Sequence, residues 1–335
     1  MKSNFSKKIT ILVLLLATTL SFAQDKKSYV VATASAGGTF YPVGVAIATL
    51  VTDKLGPEGI SMSAITSAGS GENVQLLKNH EADFGILQGL FGLMAWQGKG
   101  KYEGKPEKEM RSVTMLWENV EHFVLFKEYA KNNNIMDLKN IKGEKFSIGK
   151  RGSGTETSGK TILSALGFNM SDDFNYEHLG YSASATAMQD NLVLGMNIPA
   201  GPPVSAITQA YATIGADKVT VLDFTDAQLE EIGKTYPVWS RYIIPAGTYP
   251  GQEVDIKTIA QPNFLAVRPD MSDDDVFKIL ETIYSNLDFL HKMHKATEAI
   301  KLERAISGLP VPLHPGAVKF YKSKGIEIPE ALIAK

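Results

Sequence analysis

Three short stretches combine glycines with hydroxyl side chains where a strand-like run gives way to a helix-like one: Ser35-Ala36-Gly37-Gly38-Thr39-Phe40-Tyr41, Ser67-Ala68-Gly69-Ser70-Gly71-Glu72-Asn73 and Arg151-Gly152-Ser153-Gly154-Thr155-Glu156. The first amides of a helix have no partner within it. They also carry the positive end of its dipole. Glycine lets another group approach the backbone closely. Such a turn is therefore suited to holding an anion without a metal or a lysine. A single example is equally explained by ordinary helix capping. Three in one chain, one of them far from the other two in sequence, favour a small organic anion held between two parts of the fold. Ser35, Gly38, Thr39, Phe40, Ser70, Ser153, Gly154, Thr155 and Glu156 are the candidates at the turns. Tyr41, Asn73 and Gln88 can add neutral hydrogen bonds, and Arg151 is placed to fork onto a carboxylate.

Other chemistries find little support. The chain has no cysteine, which removes thiolate nucleophiles, disulfides and cysteine-bound metals. Its six histidines include no H-E-x-x-H; only His291 and His294 share a helical face, so no metal site is expected. There is no G-x-S-x-G elbow, and neither Ser70 nor Ser153 has a base that spacing would place beside it. Gly154 to Thr161 fits G-x-x-x-x-G-K-[ST] literally. Against an ATP site, Glu156 would face the phosphates, and Gly152 and Gly154 suit a helix that starts at Thr155 with Gly159 inside it. No cofactor and no catalytic residue is expected. Trp96, Trp117 and Trp239 fit core packing better than a pocket wall.

The elements that must position these turns follow from periodicity. The chain has 335 residues, 44% apolar and 21% charged, with 34 basic against 36 acidic residues and a formal charge of −2. That is a globular composition without the basic excess of a nucleic-acid binder. Its size favours two lobes. Lys2, Lys7 and Lys8, then the uncharged run Ile9 to Leu20, then Ser21-Phe22-Ala23, predict a signal peptide over residues 1–23. Cleavage there would leave 31 basic residues and a formal charge of −5, and an exported mature chain outside the membrane.

Beyond it the period alternates between 2 and 3.6, the mark of α/β units. Strands are expected at Lys27–Ala34, 60–66, 84–88, 112–118, 122–127, 146–149, 219–222 and 258–267, with a bend or edge at Pro262. Helices are expected over about 40–54, 72–79, 90–96, 155–166, 184–192, 204–214, 226–235 and 296–305. Another starts at Ser272, with an apolar stripe at Val276, Ile279, Leu280, Ile283, Leu287 and Leu290. The polar stretch Glu128–Ile141 reads as a surface connection. Residues 24–127 form the first part of lobe 1, residues 128–260 lobe 2, and residues 261–335 return to complete lobe 1. The hinge crossings fall near Val124–Lys127 and Thr258–Ala266.

The chain resembles the TAXI-type solute receptors of tripartite ATP-independent periplasmic (TRAP) transporters. The resemblance rests on Gly37-Gly38-Thr39-Phe40-Tyr41-Pro42-Val43-Gly44, on Ser67 to Asn73 and on Ala82-Asp83-Phe84-Gly85-Ile86-Leu87-Gln88. Ile148 to Glu156 and His314-Pro315-Gly316-Ala317-Val318-Lys319-Phe320-Tyr321 extend it over nearly all of the mature chain. It implies an α/β, two-lobed periplasmic binding protein of the second structural class, with a hinge and an interlobe cleft. It further implies capture of glutamate or another dicarboxylate or 2-oxo acid, and delivery to membrane subunits driven by an ion gradient. Its ligand-contacting turns would map onto Ser35 to Tyr41, Ser67 to Asn73, Gln88 and Ser153 to Glu156. The chain departs from the family pattern at Met196 to Pro203, on the cleft face of lobe 2, and in placing Arg151 where neutral residues are common. A ligand-sensing module for a membrane sensor, or an exported enzyme acting on a small carboxylate, are the alternatives.

Overall fold

The computed structural model describes residues 26–334, so the expected signal peptide lies outside the described residues. In chain order the regular elements begin with β1 (Lys27–Ala32), α1 (Phe40–Leu55), β2 (Ile60–Ile65), α2 (Ser70–Lys78), β3 (Phe84–Gln88) and α3 (Gly89–Gln97). Then come β4 (Arg111–Val120), β5 (Phe123–Phe126), β6 (Lys145–Ser147), α4 (Gly154–Ala165), β7 (Asn175–Glu177) and α5 (Tyr181–Gln189). β8 (Gly195–Asn197), α6 (Ser205–Thr213), β9 (Val219–Val221), α7 (Asp226–Gly233), β10 (Ser240–Ile244) and β11 (Ile256–Val267) follow. The chain finishes with α8 (Asp273–Ser285), α9 (Leu287–Met293) and α10 (Pro315–Ser323).

Two open sheets organise these elements. The first runs β10-β11-β3-β1-β2, with β4 also paired to β11; the second runs β7-β6-β8-β5-β9. In the first, β1 lies parallel to β2 and β3, while β11 is antiparallel to β3, β4 and β10. In the second, β6 is parallel to β7 and β8, and β5 is antiparallel to β8 and β9. Parallel neighbours require a crossover, so α1 and α2 begin where β1 and β2 end, and α4 begins past the end of β6. The three small-residue turns thus fall at the carboxyl ends of parallel strands, where open α/β sheets bind ligands. This is the two-lobed fold expected from the sequence.

α8 shows the local logic. Ser272 caps it by accepting from the Asp275 amide, and Val276, Ile279, Leu280 and Ile283 are buried. Asp275 then accepts from Lys27 Nζ and Tyr29 Oη, both at 2.6 Å, tying the helix to β1. Burial pushes the Asp275 carboxyl up, but the Lys27 and Tyr29 contacts outweigh it and hold it below its ordinary range.

Several expectations need correction. The first change of sheet falls at Glu121–His122, not at Val124–Lys127, because β5 hydrogen-bonds to β8 and β9 and so belongs to the second sheet. The return is gradual: β10 and β11 pair with each other in the first sheet, yet Ile244, Ile256 and Ala260 pack into the second core. Pro262 stands at a register irregularity between β11 and β4, as its missing amide demands. Glu128–Ile141 is not a purely superficial connection. Asn134 and Asp137 form a capping box for a short 3-10 turn that buries Ile135, Leu138 and Ile141. The helix expected over 296–305 is two short 3-10 pieces, Lys295–Ala299 and Leu302–Arg304. No helix among the described residues is long and apolar enough to cross a membrane.

Candidate functional site

A pocket open to solvent lies between the two sheets; counted together with the solvent space at its mouth it spans about 380 Å³. Its wall is built from Ser35 and Gly38–Phe40 of the first turn, Ala68–Ser70 of the second and Gln88 at the end of β3. Gly154 and Thr155 of α4, Tyr181 of α5 and the Pro199–Ala200 segment close the other side. Among the described residues, no Lys, Arg, His, Asp or Glu lines it. Its electrostatics come from the backbone. Thr39 is the N-cap of α1, Gly69 of α2 and Gln88 of α3; Gly154 and Tyr181 are the first residues of α4 and α5. Five helix N-termini, three from one side and two from the other, therefore abut one small space. Each presents unpartnered amides and roughly half a positive charge.

The two sides touch across the cavity. Thr39 Oγ1 donates to Gly201 O at 2.8 Å, and Ala206 N to Gly37 O at 3.1 Å. A Cβ on Gly71 would collide with the carbonyl oxygen of Gly152, so the opposing backbones meet at a point that only glycine allows. A Cβ on Gly154 would likewise strike Gln88 Oε1 and come within 2.8 Å of Ser70 Oγ. Tyr181 is held by two oxygens: its hydroxyl lies 2.8 Å from Thr155 Oγ1 and donates to Pro199 O at 2.7 Å. Burial pushes this phenol well above its ordinary range, so it stays a neutral donor. Gln88 is 3% exposed; its amide donates to Ser70 Oγ, and its own Oε1 has no partner.

Residues 31–325 match the NMT1-like family, the family of the TAXI-type solute receptors of TRAP transporters. The chain belongs to that family. Solved structures agree on the fold. MatC from Rhodopseudomonas palustris, solved with bound malate, is 14% identical with a TM-score of 0.56, over 89% of this chain and 96% of that one. The periplasmic binding protein BugD is 14% identical with a TM-score of 0.52, over 91% and 99% of the two chains. A protein of Bordetella bronchiseptica RB50 gives 14% and 0.52, over 91% of each. At these identities the likeness concerns the fold alone.

Eight of the thirteen residues singled out from sequence line the cavity: Ser35, Gly38, Thr39, Phe40, Ser70, Gln88, Gly154 and Thr155. Five do not. Tyr41 is the second residue of α1 and stands outside the lining, half-buried. Asn73 works as a clamp: its Nδ2 donates to Thr33 O and Ile86 O, and its Oδ1 accepts from Ser67 Oγ at 2.6 Å. It fixes the second turn against β1 and β3. Ser153 is spent on capping, accepting from the Glu156 amide at 3.1 Å. Glu156 accepts from Gly152 N at 2.6 Å and pairs with Lys160 at 2.8 Å. Burial raises the Glu156 carboxyl, but Lys160, the Gly152 amide and nearby His178 outweigh it and leave it below the ordinary range. Arg151 is exposed and absent from the wall. Lys160 of the Walker-like stretch is committed to Glu156, and Gly159 sits inside α4 against Ile148 and Asn197. No loop there is free to wrap phosphates.

Sequence reasoning missed Tyr181; it placed Met196 to Pro203 on the cleft face of lobe 2 without naming Pro199 and Ala200 as candidates, and both line the pocket. The helix expected from Ser184 begins at Tyr181, because its N-cap, Gly180, makes no side-chain cap that would announce it. Pro199 contributes a carbonyl, which no side-chain pattern can reveal.

Proposed function

We propose that this protein is a periplasmic receptor that captures a small organic anion, glutamate or another dicarboxylate or 2-oxo acid, for a TRAP transporter's membrane subunits. One observation carries the reading: five helix N-termini from both sides of the cleft abut a pocket with, among the described residues, no charged side chain in its wall. An anion there would replace water on amides that have no other partner. Thr39 donates across the gap to Gly201 O and Tyr181 donates to Pro199 O, so of these hydroxyls the one left to turn toward a carboxylate is that of Thr155, beside Tyr181 Oη. Charge-assisted hydrogen bonds of this kind contribute about 1.5–3 kcal/mol each. Contacts made to both lobes at once stabilise the closed arrangement over an open one, and that difference is what a membrane partner can read. No bond is made or broken in such a cycle.

Thermal unfolding against dicarboxylates, 2-oxo acids, amino acids and neutral sugars tests this. A ligand specific to the folded form raises stability by about 2.7 kcal/mol at a hundredfold excess over its dissociation constant. The expected outcome is a rise with at least one small carboxylate and none with sugars. A rise with a sugar alone defeats the anion reading.

A further inference from the structure

The neutral wall poses a question of selectivity. Helix N-termini attract negative charge, but partial charges spread around a cavity discriminate poorly between a ligand with one acidic group and a ligand with two. A full positive charge at the edge of the wall would sharpen that distinction. The turn before α4 carries two cations, Lys150 and Arg151. Arg151 is exposed, whereas Lys150 is half-buried.

The position of the Lys150 stem is informative. A Cβ built on Gly180 would meet Lys150 Cε at 3.3 Å and Ser35 Oγ at 3.4 Å. Gly180 is the N-cap of α5, and the next residue, Tyr181, lines the cavity. Ser35 lines it from the opposite lobe. The Lys150 stem, the start of α5 and the Ser35 hydroxyl therefore crowd one point on the cavity's edge, across the gap between lobes. Gly180 leaves that point open, with room for the stem to lie over the helix end.

The Lys150 ammonium is also uncommitted. Among the described residues it makes no ion pair, while the acids on adjoining elements are engaged elsewhere: Glu156 with Lys160, and Glu177 with Lys145. A lysine without an acid partner, its stem beside the rim of a neutral pocket, is available to meet a ligand's charge there.

We propose that Lys150 sets the charge selectivity of the cavity, giving the counter-charge to the second acidic group of a dicarboxylate whose first group is held by the helix N-termini. This rests on the anion-receptor reading above. A compact ammonium on a flexible stem suits a group at the rim, where ligands of slightly different length must be met.

Matched ligand pairs isolate the effect, because each replaces one carboxylate by its neutral amide: glutamate with glutamine, and succinate with succinamate. Isothermal titration calorimetry would be run on the wild type and on Lys150→Met, Lys150→Arg and Arg151→Met. Lys150→Met is expected to weaken the dicarboxylate member of the bound pair tenfold or more and to leave its amide partner within twofold. Lys150→Arg should restore most of the loss, and Arg151→Met should move neither ligand. The amide partner also reports whether the variant is folded and able to close. Equal weakening of both members by Lys150→Met, or no weakening of either, overturns the inference while leaving the receptor reading in place. Failure of every carboxylate to bind the wild type removes both.

Discussion

The cleft and the hinge are both buried and polar, but their polarity has different origins. In the cleft it comes from backbone amides at five helix N-termini, and among the described residues no titratable side chain lines the wall apart from the raised Tyr181 phenol. In the hinge it comes from side chains. Glu121 and His122, the two residues between β4 and β5, are both 0% exposed. Burial pushes the Glu121 carboxyl up to about 7, and Ser158, Trp239, Asn197 and Gln261 pull it only part of the way back. Neither carboxyl oxygen completes a well-aligned hydrogen bond, and no cation is among the groups acting on it, so burial dominates. Burial also lowers His122 to about 4; its Nδ1 lies 2.9 Å from Val120 O and its Nε2 2.7 Å from Tyr249 Oη. A backbone-built site resists side-chain substitution and changes in pH, but depends on the exact approach of two surfaces. A side-chain-built site has the opposite sensitivities.

The sharpest way to break the contrast is to disturb approach without touching a polar group. Gly71→Ala places a methyl where the Gly152 carbonyl lies, so full closure is blocked. The ligand would then lose contact with one lobe, worth about 3 kcal/mol or roughly a hundredfold in affinity. Alanine is a better helix former than glycine, so the unliganded protein should be no less stable. Calorimetric titration beside thermal unfolding checks both halves; unchanged affinity would show that the lobes need not meet there.

The hinge prediction concerns pH. Glu121 sits at about 7 in the fold against an ordinary 4.5, so the folded state resists ionisation. Its contribution is fully favourable below about 4.5, is lost as pH rises towards 7, and stays lost above. From the shift this amounts to about 3 kcal/mol. His122 has the opposite sign: neutral in the fold down to about 4 against an ordinary 6.5, it costs stability as pH falls through that window. The two offset each other across the interval they share. Glu121→Gln removes one of them. Urea unfolding at pH 4 and pH 8 should show the variant gaining about 3 kcal/mol on the wild type over that range. It should also lay bare the acid-side loss due to His122. A difference independent of pH would mean that Glu121 is solvated after all.

The contrast also explains what the sequence made legible. The first two turns and the third were visible because glycine and hydroxyls stand directly between a β-period and a helical period; Thr39, Ser70 and Gly154 lie where that pattern put them. The stripe from Val276 to Ile283 was visible for the same reason. Invisible were surfaces made by carbonyls, such as Pro199 and Gly201, and a helix start without a side-chain cap at Gly180. Arg151 has the better chemistry for a carboxylate, but the turn exposes it while Lys150 reaches over Gly180. Facing direction within a tight turn is set by backbone dihedrals that residue type does not encode. Glu121 and His122 stood in an apolar run, but only the pairing of β5 with the second sheet makes them the hinge.

The smallest expected effect lies where the two kinds of polarity meet. Thr39 Oγ1, a side-chain donor 1% exposed at the start of α1, donates to Gly201 O, a backbone acceptor on the facing lobe. Thr39→Val keeps the shape and removes the donor, leaving a carbonyl unsatisfied in the closed form only. In an open form water can reach that oxygen, so the loss falls on closure, not on folding. About 1 kcal/mol, roughly fivefold in affinity, is the expected cost. Thr39→Ser, which keeps the hydroxyl, should recover most of it. If Thr39→Val instead lowers the unfolding temperature without ligand and leaves affinity unchanged, the hydrogen bond serves the resting fold. The lobes would then already be locked together before any ligand arrives, and closure would carry no signal.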